Sequence, residues 1–500
     1  MLARFFDLPV LFHLFAVAAS SMLVPSFFAL SLGEYFQART FFYTGILGLV
    51  FLALIALAMA NRKIEETGVQ QLGALGLGFV ILPVFLALPA AGIIQTTKFS
   101  TVYLDMVSAL TTTGFVVFDP ARLPDALHLW RAWVAWLGGA LIWICAAAIL
   151  APMNLGGFEL IGGSKSSQTS FLTTKERRAF LLRNSAQLFP IYAGLTAILW
   201  LGLTLVGVPA LDGMIYAMSV LATSGITATT QLSELSGQWM VEGLIFIFLL
   251  LAISRATMKS DRGRPQVTEL RRDPEFRLGL FLIALVSFGL LARHCFGVLE
   301  SGGVLSISRM LEVFWGTLFT TLSYLTTTGF VSASWSAGEQ WSSLSTPALL
   351  FLGLALIGGG VATTAGGVKL LRVYSLYLNA TGEVDHLIHP SSVGQFASVH
   401  QQEMRKSAFL AWIFFMIFAI SLALITLALA ASGLSFETAL ALCISALSTT
   451  GPLIDLVAPQ SVDLVSVGLW TKAILCFAMI LGRFEILVVL AMLSREAWGR

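Results

Sequence analysis

Ten runs of about twenty residues, nearly free of charge, recur along this chain at about 8–32, 41–60, 68–95, 128–151, 186–208, 238–255, 278–297, 345–361, 407–432 and 465–492. Each is long enough to cross a hydrocarbon core of roughly 30 Å as a helix, whose backbone polar groups are satisfied internally where no water is present. The composition agrees: 57% of the 500 residues are hydrophobic and only 11% are charged, whereas a water-facing surface brings the usual charged share to about 25%. The expected fold is an all-α polytopic membrane protein. The first run contains Ala16-Val-Ala-Ala-Ser20, as a cleaved signal peptide would, but its apolar character continues to Leu32, which reads as a retained helix.

Lys and Arg gather in particular loops: Arg62 and Lys63; Lys165, Lys175, Arg177, Arg178 and Arg183; then Arg255, Lys259, Arg262, Arg264, Arg271, Arg272 and Arg277. The positive-inside rule makes these loops cytoplasmic and, with an even number of crossings, puts both termini there. The opposite loops hold Asp105, Asp119, Asp125, Asp212, Glu234, Glu300, Glu312, Glu339, Glu437, Asp455 and Asp463, and together these concentrate cations at an outer mouth. A net charge of +2 gives no broad basic face and argues against a nucleic-acid partner. Cys145, Cys295, Cys443 and Cys476 form no CxxC pair and read as inert thiols. His386, His389 and His400 read as solvated loop residues rather than a metal site.

A second, shorter apolar segment follows the third, fifth, seventh and ninth runs, at 99–111, 211–223, 309–326 and 436–448. The four end as Ser108-Ala-Leu-Thr-Thr-Thr-Gly114-Phe, Ser219-Val-Leu-Ala-Thr-Ser-Gly225-Ile, Ser323-Tyr-Leu-Thr-Thr-Thr-Gly329-Phe and Ser445-Ala-Leu-Ser-Thr-Thr-Gly451-Pro. Aligned on the glycine, all share Ser six before, Leu four before and Thr two before. The glycines recur roughly every hundred residues, the period of a helix, short helix, helix unit. One such tract would read as a helix-packing surface; four in register, each before a full span, read as re-entrant segments around a pseudo-fourfold line. The expected units are 1–65, two extra N-terminal helices, then repeats at 66–160, 161–260, 261–380 and 381–500.

In that arrangement the backbone carbonyls of Thr112, Thr113 and Gly114, Thr223, Ser224 and Gly225, Thr327, Thr328 and Gly329, and Thr449, Thr450 and Gly451 replace the hydration shell of a monovalent cation. Glycine tolerates positive φ and lets the backbone approach the axis. The run Gly358-Gly359-Gly360-Val-Ala-Thr-Thr-Ala-Gly366-Gly367-Val-Lys369 is no phosphate loop, because Lys369 is not followed by Ser or Thr; its glycines and β-branched residues favour a break in the helix. Arg483 sits in an apolar stretch where a guanidinium costs at least roughly 2.5–3.5 kcal/mol, so it faces the bundle interior and carries a function, with an ion pair to Glu485 or a carbonyl as the structural alternative.

With the four Thr-x-Gly tracts, the Gly358–Lys369 run and Leu481-Gly-Arg483-Phe-Glu485, the chain resembles the Trk/Ktr/HKT superfamily of potassium transporters, specifically the membrane subunit of bacterial Trk systems. The resemblance implies potassium uptake with K+ as the transported ion and no organic cofactor, filter glycines at 114, 225, 329 and 451, and a gate made of the Gly358–Lys369 loop and Arg483. It further implies a homodimer in the bacterial inner membrane and a separate cytoplasmic nucleotide-binding regulatory subunit, for which loops 165–183, 255–277 and 369–406 are the candidate docking surface. A secondary transporter of an organic solute would instead show inverted paired repeats, and an intramembrane enzyme would need a catalytic constellation that no apolar run carries.

Overall fold

The computed structural model describes residues 9–59, 68–150, 174–227, 232, 238–254, 273–342, 344, 347–388, 399–457 and 462–484. Among these residues the chain is helical, with no strand. The opening run is two helices, α1 (Val10–Ser21) and α2 (Leu23–Ser31), with the break at Met22, and α3 (Tyr35–Met59) returns against them. Ser26 ties this hairpin by donating to the carbonyl of Ala38 at 2.8 Å.

The remaining described helices fall into four successive groups along the chain. The first is α4 (Gly68–Ile93), α5 (Phe99–Leu110) and α6 (Asp125–Cys145), the last continued by a wide π-type turn at Ala146–Leu150. The second is α7 (Thr174–Val206), α8 (Ala210–Ala222) and α9 (Gln238–Leu249). The third is α10 (Pro274–Glu300), α11 (Ile307–Leu325), the short α12 (Ser334–Ser342), α13 (Ala348–Ile357) and α14 (Leu370–Ile388). The fourth is α15 (Val399–Ala431), α16 (Phe436–Leu447), the one-turn α17 (Leu453–Val457) and α18 (Leu469–Phe484). Among the described residues, seven helical stretches are long and apolar enough to cross a membrane.

The short helices end within one or two residues of the positions expected from the sequence, because each is bounded by local chemistry. Pro209 precedes α8, Ser435 caps α16 by accepting from the amide of Thr438 at 3.3 Å, and the Ser/Thr/Gly tracts stop all four. The spans differ more. α7 begins a dozen residues before the expected 186, since Thr174–Ser185 is polar and its helical start is not marked by hydropathy. The run 345–361 stops as a helix at Ile357, where Gly358 takes φ +73°. α12 was not expected from the sequence at all; Trp335 anchors it by packing edge-on against Phe351, 5.3 Å between ring centres. The expected limits 65/66, 160/161 and 260/261 lie outside the described residues, as do Glu485, His389, Arg271 and Arg272, whereas 380/381 falls inside α14.

The short helices α5, α8, α11 and α16 carry deeply buried residues: Val102, Met106, Tyr216, Phe319, Leu322, Leu442 and Cys443 are all within 1% of full burial. The outward surfaces of α3 and α15 are apolar and exposed, as at Leu47, Leu57, Leu424 and Leu427. This is the distribution expected where lipid, not water, surrounds the helices.

Candidate functional site

Each short helix ends in the same way. The residue two before the glycine, Thr112, Thr223, Thr327 or Thr449, has φ of 55°, 50°, 58° or 55°. Its amide donates three residues back, to Ala109, Val220, Tyr324 or Ala446, at 2.9–3.3 Å. The next amide, of Thr113, Ser224, Thr328 or Thr450, donates five back to the carbonyl of Ser108, Ser219, Ser323 or Ser445 at 2.8–2.9 Å. This pair of bonds around a left-handed residue is the Schellman helix end, where glycine is the usual occupant. Here a β-branched threonine occupies it four times, at a cost of about 1–2 kcal/mol each, and strain of this kind gathers where structure serves function. The shared Ser and Thr of the sequence repeat are therefore the first and left-handed residues of one turn.

The serines do more in two of the tracts. Ser108 Oγ accepts from the amide of Phe115 at 2.8 Å and Ser323 Oγ from that of Phe330 at 2.6 Å, locking the chain beyond the glycine. Ser219 Oγ instead meets Ser224 Oγ at 3.1 Å.

The four glycines meet. A β-carbon on Gly114 would run into the Ser224 carbonyl, one on Gly225 into that of Thr328, one on Gly329 into Pro452 at 3.0 Å, and one on Gly451 into Gly114 and the Phe115 amide. Segment one thus touches two, two touches three, three touches four and four returns to one. The amide of Gly451 also donates to the Thr113 carbonyl at 2.6 Å. Gly114, Gly225 and Gly329 have φ of +74°, +65° and +85°. Gly451 is not left-handed, and there the requirement is space alone. Thr112, Thr113, Ser224, Thr327, Thr328 and Thr450 are fully buried, and Thr223 and Thr449 are 1% exposed. The hydroxyls of Thr112 and Thr449 have no hydrogen-bond partner.

Residues Gly358–Lys369 form a closed loop between α13 and α14. Its neck is pinned by the amides of Val368 and Lys369 donating to Leu356 and Ile357, each at 2.9 Å. Its body is tied to surrounding elements: Gly360 N to the Ala252 carbonyl at 3.1 Å, Val361 N to Glu275 Oε1 at 3.0 Å, Thr364 Oγ1 to the Leu221 carbonyl at 3.1 Å, and Gly366 N to Thr327 Oγ1 at 2.8 Å. Gly366 lies so close to the Ser448 carbonyl and Thr449 Oγ1 that no β-carbon fits. The loop therefore seats directly against the ends of α8, α11 and α16. Gly359 and Gly360 are equally hemmed in by Ala252 and Ile253, and Gly367, at φ +79°, by Ala355 and Gly358. Lys369 is buried, with φ +84°, and its Nζ donates to the Ala365 carbonyl.

Arg483 is 6% exposed. Its Nη1 donates to the Thr364 carbonyl at 2.6 Å, while Nε and Nη2 have no hydrogen-bond partner. It borders a cavity of about 40 Å³ shared with Lys369, Gly366, Gly482 and the π-type turn at Ala146 and Leu150. Gly482 lets α18 approach this closely, since a β-carbon there would strike the Leu447 carbonyl; Gly138 plays the same part for α6 beneath Leu110. Of the two structural alternatives for Arg483, a carbonyl partner is present, and Glu485 lies outside the described residues.

Several buried charges were missed by sequence reasoning. Asp105, expected at an outer acidic face, is 2% exposed and accepts from Arg131 Nε at 3.0 Å. Arg131 Nη2 also donates to the carbonyl of Phe115, the residue after Gly114, at 3.1 Å. Asp212, also assigned to that face, is 5% exposed. Glu242 accepts from Trp315 Nε1 at 2.7 Å, Ser332 Oγ at 2.8 Å and the Ala333 amide at 2.8 Å, holding the chain beyond Gly329. Lys472 donates to Thr101 and to the Val465 carbonyl at 2.7 and 2.8 Å. Arg131, Glu242 and Lys472 each stand inside an apolar run, the same signal that singled out Arg483. Among the described residues there is no metal-ligating group of three or more His, Cys, Asp or Glu.

The model of the TrkH family, described as a cation transport protein, matches residues 40–497. The chain belongs to that family. Among its relatives is a Trk system potassium uptake protein TrkH of Vibrio parahaemolyticus, 27% identical over 403 residues that cover 79% of each chain. Another is the Trk system potassium uptake protein TrkI of Halomonas elongata, 28% identical over 437 residues, 84% of this chain and 82% of that one. The crystal structure of the potassium transporter TrkH from Vibrio parahaemolyticus superposes with a TM-score of 0.79 at 24% identity, covering all of both chains, which establishes the shared fold. Family and fold agree with the helical membrane architecture expected from the apolar runs.

Proposed function

We propose that this chain is the pore-forming membrane subunit of a Trk-type potassium-uptake system. The observation that carries the reading is the succession of Gly114, Gly225, Gly329 and Gly451, each against the next segment, at the ends of four helices that finish in one strained turn. In this reading the carbonyls of Thr112–Gly114, Thr223–Gly225, Thr327–Gly329 and Thr449–Gly451 line a pseudo-fourfold pore and take the place of water around K+. The unpartnered hydroxyls of Thr112 and Thr449 supply further oxygen. The C-terminal ends of α5, α8, α11 and α16 direct partial negative charge toward the ion, favouring a cation over an anion. Glycine in all four filters, rather than serine in the first, belongs with selection of potassium over sodium.

The Gly358–Lys369 loop, seated beneath three of the four helix ends, and Arg483 bonded to it form the gate. The protein acts as a homodimer in the bacterial inner membrane with both termini cytoplasmic, and a cytoplasmic nucleotide-binding subunit moves the gate through the basic loops. The apolar runs, the family and the named activity of the relatives support this reading over an enzyme or an organic-solute carrier.

The test is potassium and sodium uptake into liposomes containing only this protein and its Gly114→Ser variant. A side chain at position 114 must displace the Ser224 carbonyl, so discrimination against sodium falls while the protein stays folded. An unchanged ratio of sodium to potassium flux removes Gly114 from the filter.

A further inference from the structure

A crevice of about 430 Å³ lies between α1, α4, α6 and α7. Its lining is nearly all aliphatic, with Leu14, Leu82, Leu86, Leu137, Leu141 and Ile144 among the walls. Val17, Leu182 and Phe189 on its rim are 51%, 40% and 40% exposed, so it opens sideways, toward the surface that lipid covers. From Gln71 to Leu86 it follows α4 for about 22 Å at ~1.5 Å per residue, enough to span the roughly 15 Å depth of one leaflet.

Besides Ser185 and His13, whose Nδ1 lies 3.2 Å from the Pro9 carbonyl, two polar features bear on this apolar wall. Gln71 belongs to the lining, is 4% exposed, and its Nε2 has no hydrogen-bond partner. An amide donor left unpaired in a dry site costs about 1–3 kcal/mol, and an acceptor that enters the crevice recovers it. Ser185 is no substitute, since its hydroxyl already donates to the Leu181 carbonyl at 2.9 Å. The second feature is Arg183, which stands exposed on the same turn of α7 as the lining residues Leu181, Leu182 and Ser185. An aliphatic slot that opens to the bilayer, with a buried amide donor in the first turn of α4 and a cation in the first third of α7, the helix ends that follow the basic loops, has the order of groups found along a phospholipid: tail, ester carbonyl, phosphate.

We infer that the crevice between α1, α4, α6 and α7 is a binding site for one anionic glycerophospholipid, held with an acyl chain in the slot, an ester carbonyl at Gln71 and its headgroup at Arg183. Basic positions between membrane helices select such headgroups. The lining includes Leu110, the last helical residue before Thr111 and Thr112, so a tail in the slot packs against the helix that carries the first glycine tract.

The experiment is native mass spectrometry of the purified, delipidated full-length protein titrated with phosphatidylglycerol or phosphatidylcholine in detergent, a readout that does not depend on ion flux. One phosphatidylglycerol per chain binds, in preference to phosphatidylcholine. Gln71→Leu weakens that binding by about tenfold, the loss of one buried hydrogen bond worth ~1.4 kcal/mol. Arg183→Gln lowers the preference for phosphatidylglycerol by about fivefold, as expected for one cation of ~1 kcal/mol. Ala140→Phe fills the slot and abolishes the bound species, and Gln71→Leu keeps the test decisive should Ala140→Phe not fold. Equal binding of both lipids by the wild type, or retention of the bound lipid by Gln71→Leu at undiminished affinity, overturns the assignment.

Discussion

Arg483 donates a 2.6 Å hydrogen bond to the carbonyl of Thr364, joining the last described helix to the loop beneath the four glycines with one buried cation. Thr364 in turn donates through its hydroxyl to Leu221 at the end of α8. The charge, the loop and the end of α8 therefore form one chain of bonds. A guanidinium stays protonated at working pH and does not escape its burial by neutralising.

This arrangement predicts that Arg483→Ala raises basal potassium flux. A potassium ion passing at about 6 Å in an effective dielectric near 20 meets a repulsion of about 3 kcal/mol, enough to slow passage roughly a hundredfold. Removing the charge also frees Thr364 and loosens the loop. Flux into liposomes containing the variant should rise by ten- to a hundredfold and lose its dependence on any regulatory partner. A variant that conducts like the wild type makes Arg483 a structural residue.

Gly366→Ala tests the loop without touching a charge. The added methyl has no room between the Ser448 carbonyl and Thr449 Oγ1, so the loop must shift and the bond from Gly366 N to Thr327 Oγ1 breaks. The expected result is raised basal flux with unchanged preference for potassium, because the amides of Thr327, Thr328, Thr449 and Thr450 keep their own bonds to the carbonyls of α11 and α16. Gly382→Ala, at a helical glycine with open space around it, serves as the control and should leave flux unaltered.

Thr112→Gly separates strain from chemistry. Glycine suits the left-handed site, so the helix end gains about 1–2 kcal/mol, seen as a raised thermal midpoint of the purified protein. The unpartnered hydroxyl is lost with it, and discrimination between potassium and sodium should fall. Stability and selectivity moving in opposite directions identifies the threonine as kept for the ion. If both stay constant, the hydroxyl has no such role.

Much of this was legible beforehand, and for identifiable reasons. The four tracts stand out because Ser, Leu, Thr and Gly recur at fixed offsets, and the helix limits at Leu110, Ala222, Leu325 and Leu447 follow from them. The break after Ile357 follows from Gly358–Gly360. The left-handed threonines were not legible, since a β-branched residue argues against that conformation and only the bonds to Ser108, Ser219, Ser323 and Ser445 reveal it. The partners of Asp105 were also hidden: Arg131 is 26 residues away, on another helix. Arg131 itself was marked by its place inside an apolar run, and weighing it as Arg483 was weighed would have sent Asp105 into the core rather than to the outer mouth.

That pair gives the last prediction. Arg131 bridges Asp105 and the Phe115 carbonyl, each bond 3.0–3.1 Å, directly beyond Gly114. Removing one member of a buried pair strands the other and costs about 3–5 kcal/mol, whereas replacing both with apolar groups of like volume is often neutral. Arg131→Met alone should therefore sharply reduce the yield of folded protein, and Asp105→Leu alone should do the same. The double variant Asp105→Leu with Arg131→Met should recover most of the stability. It still lacks the guanidinium on Phe115, so the first tract loses its outer brace. Uptake of potassium by the double variant should then be less selective against sodium although the protein is folded. Full selectivity in the rescued double variant would show that the pair serves burial alone and that Ser108, through its bond to the Phe115 amide, is sufficient to hold the tract.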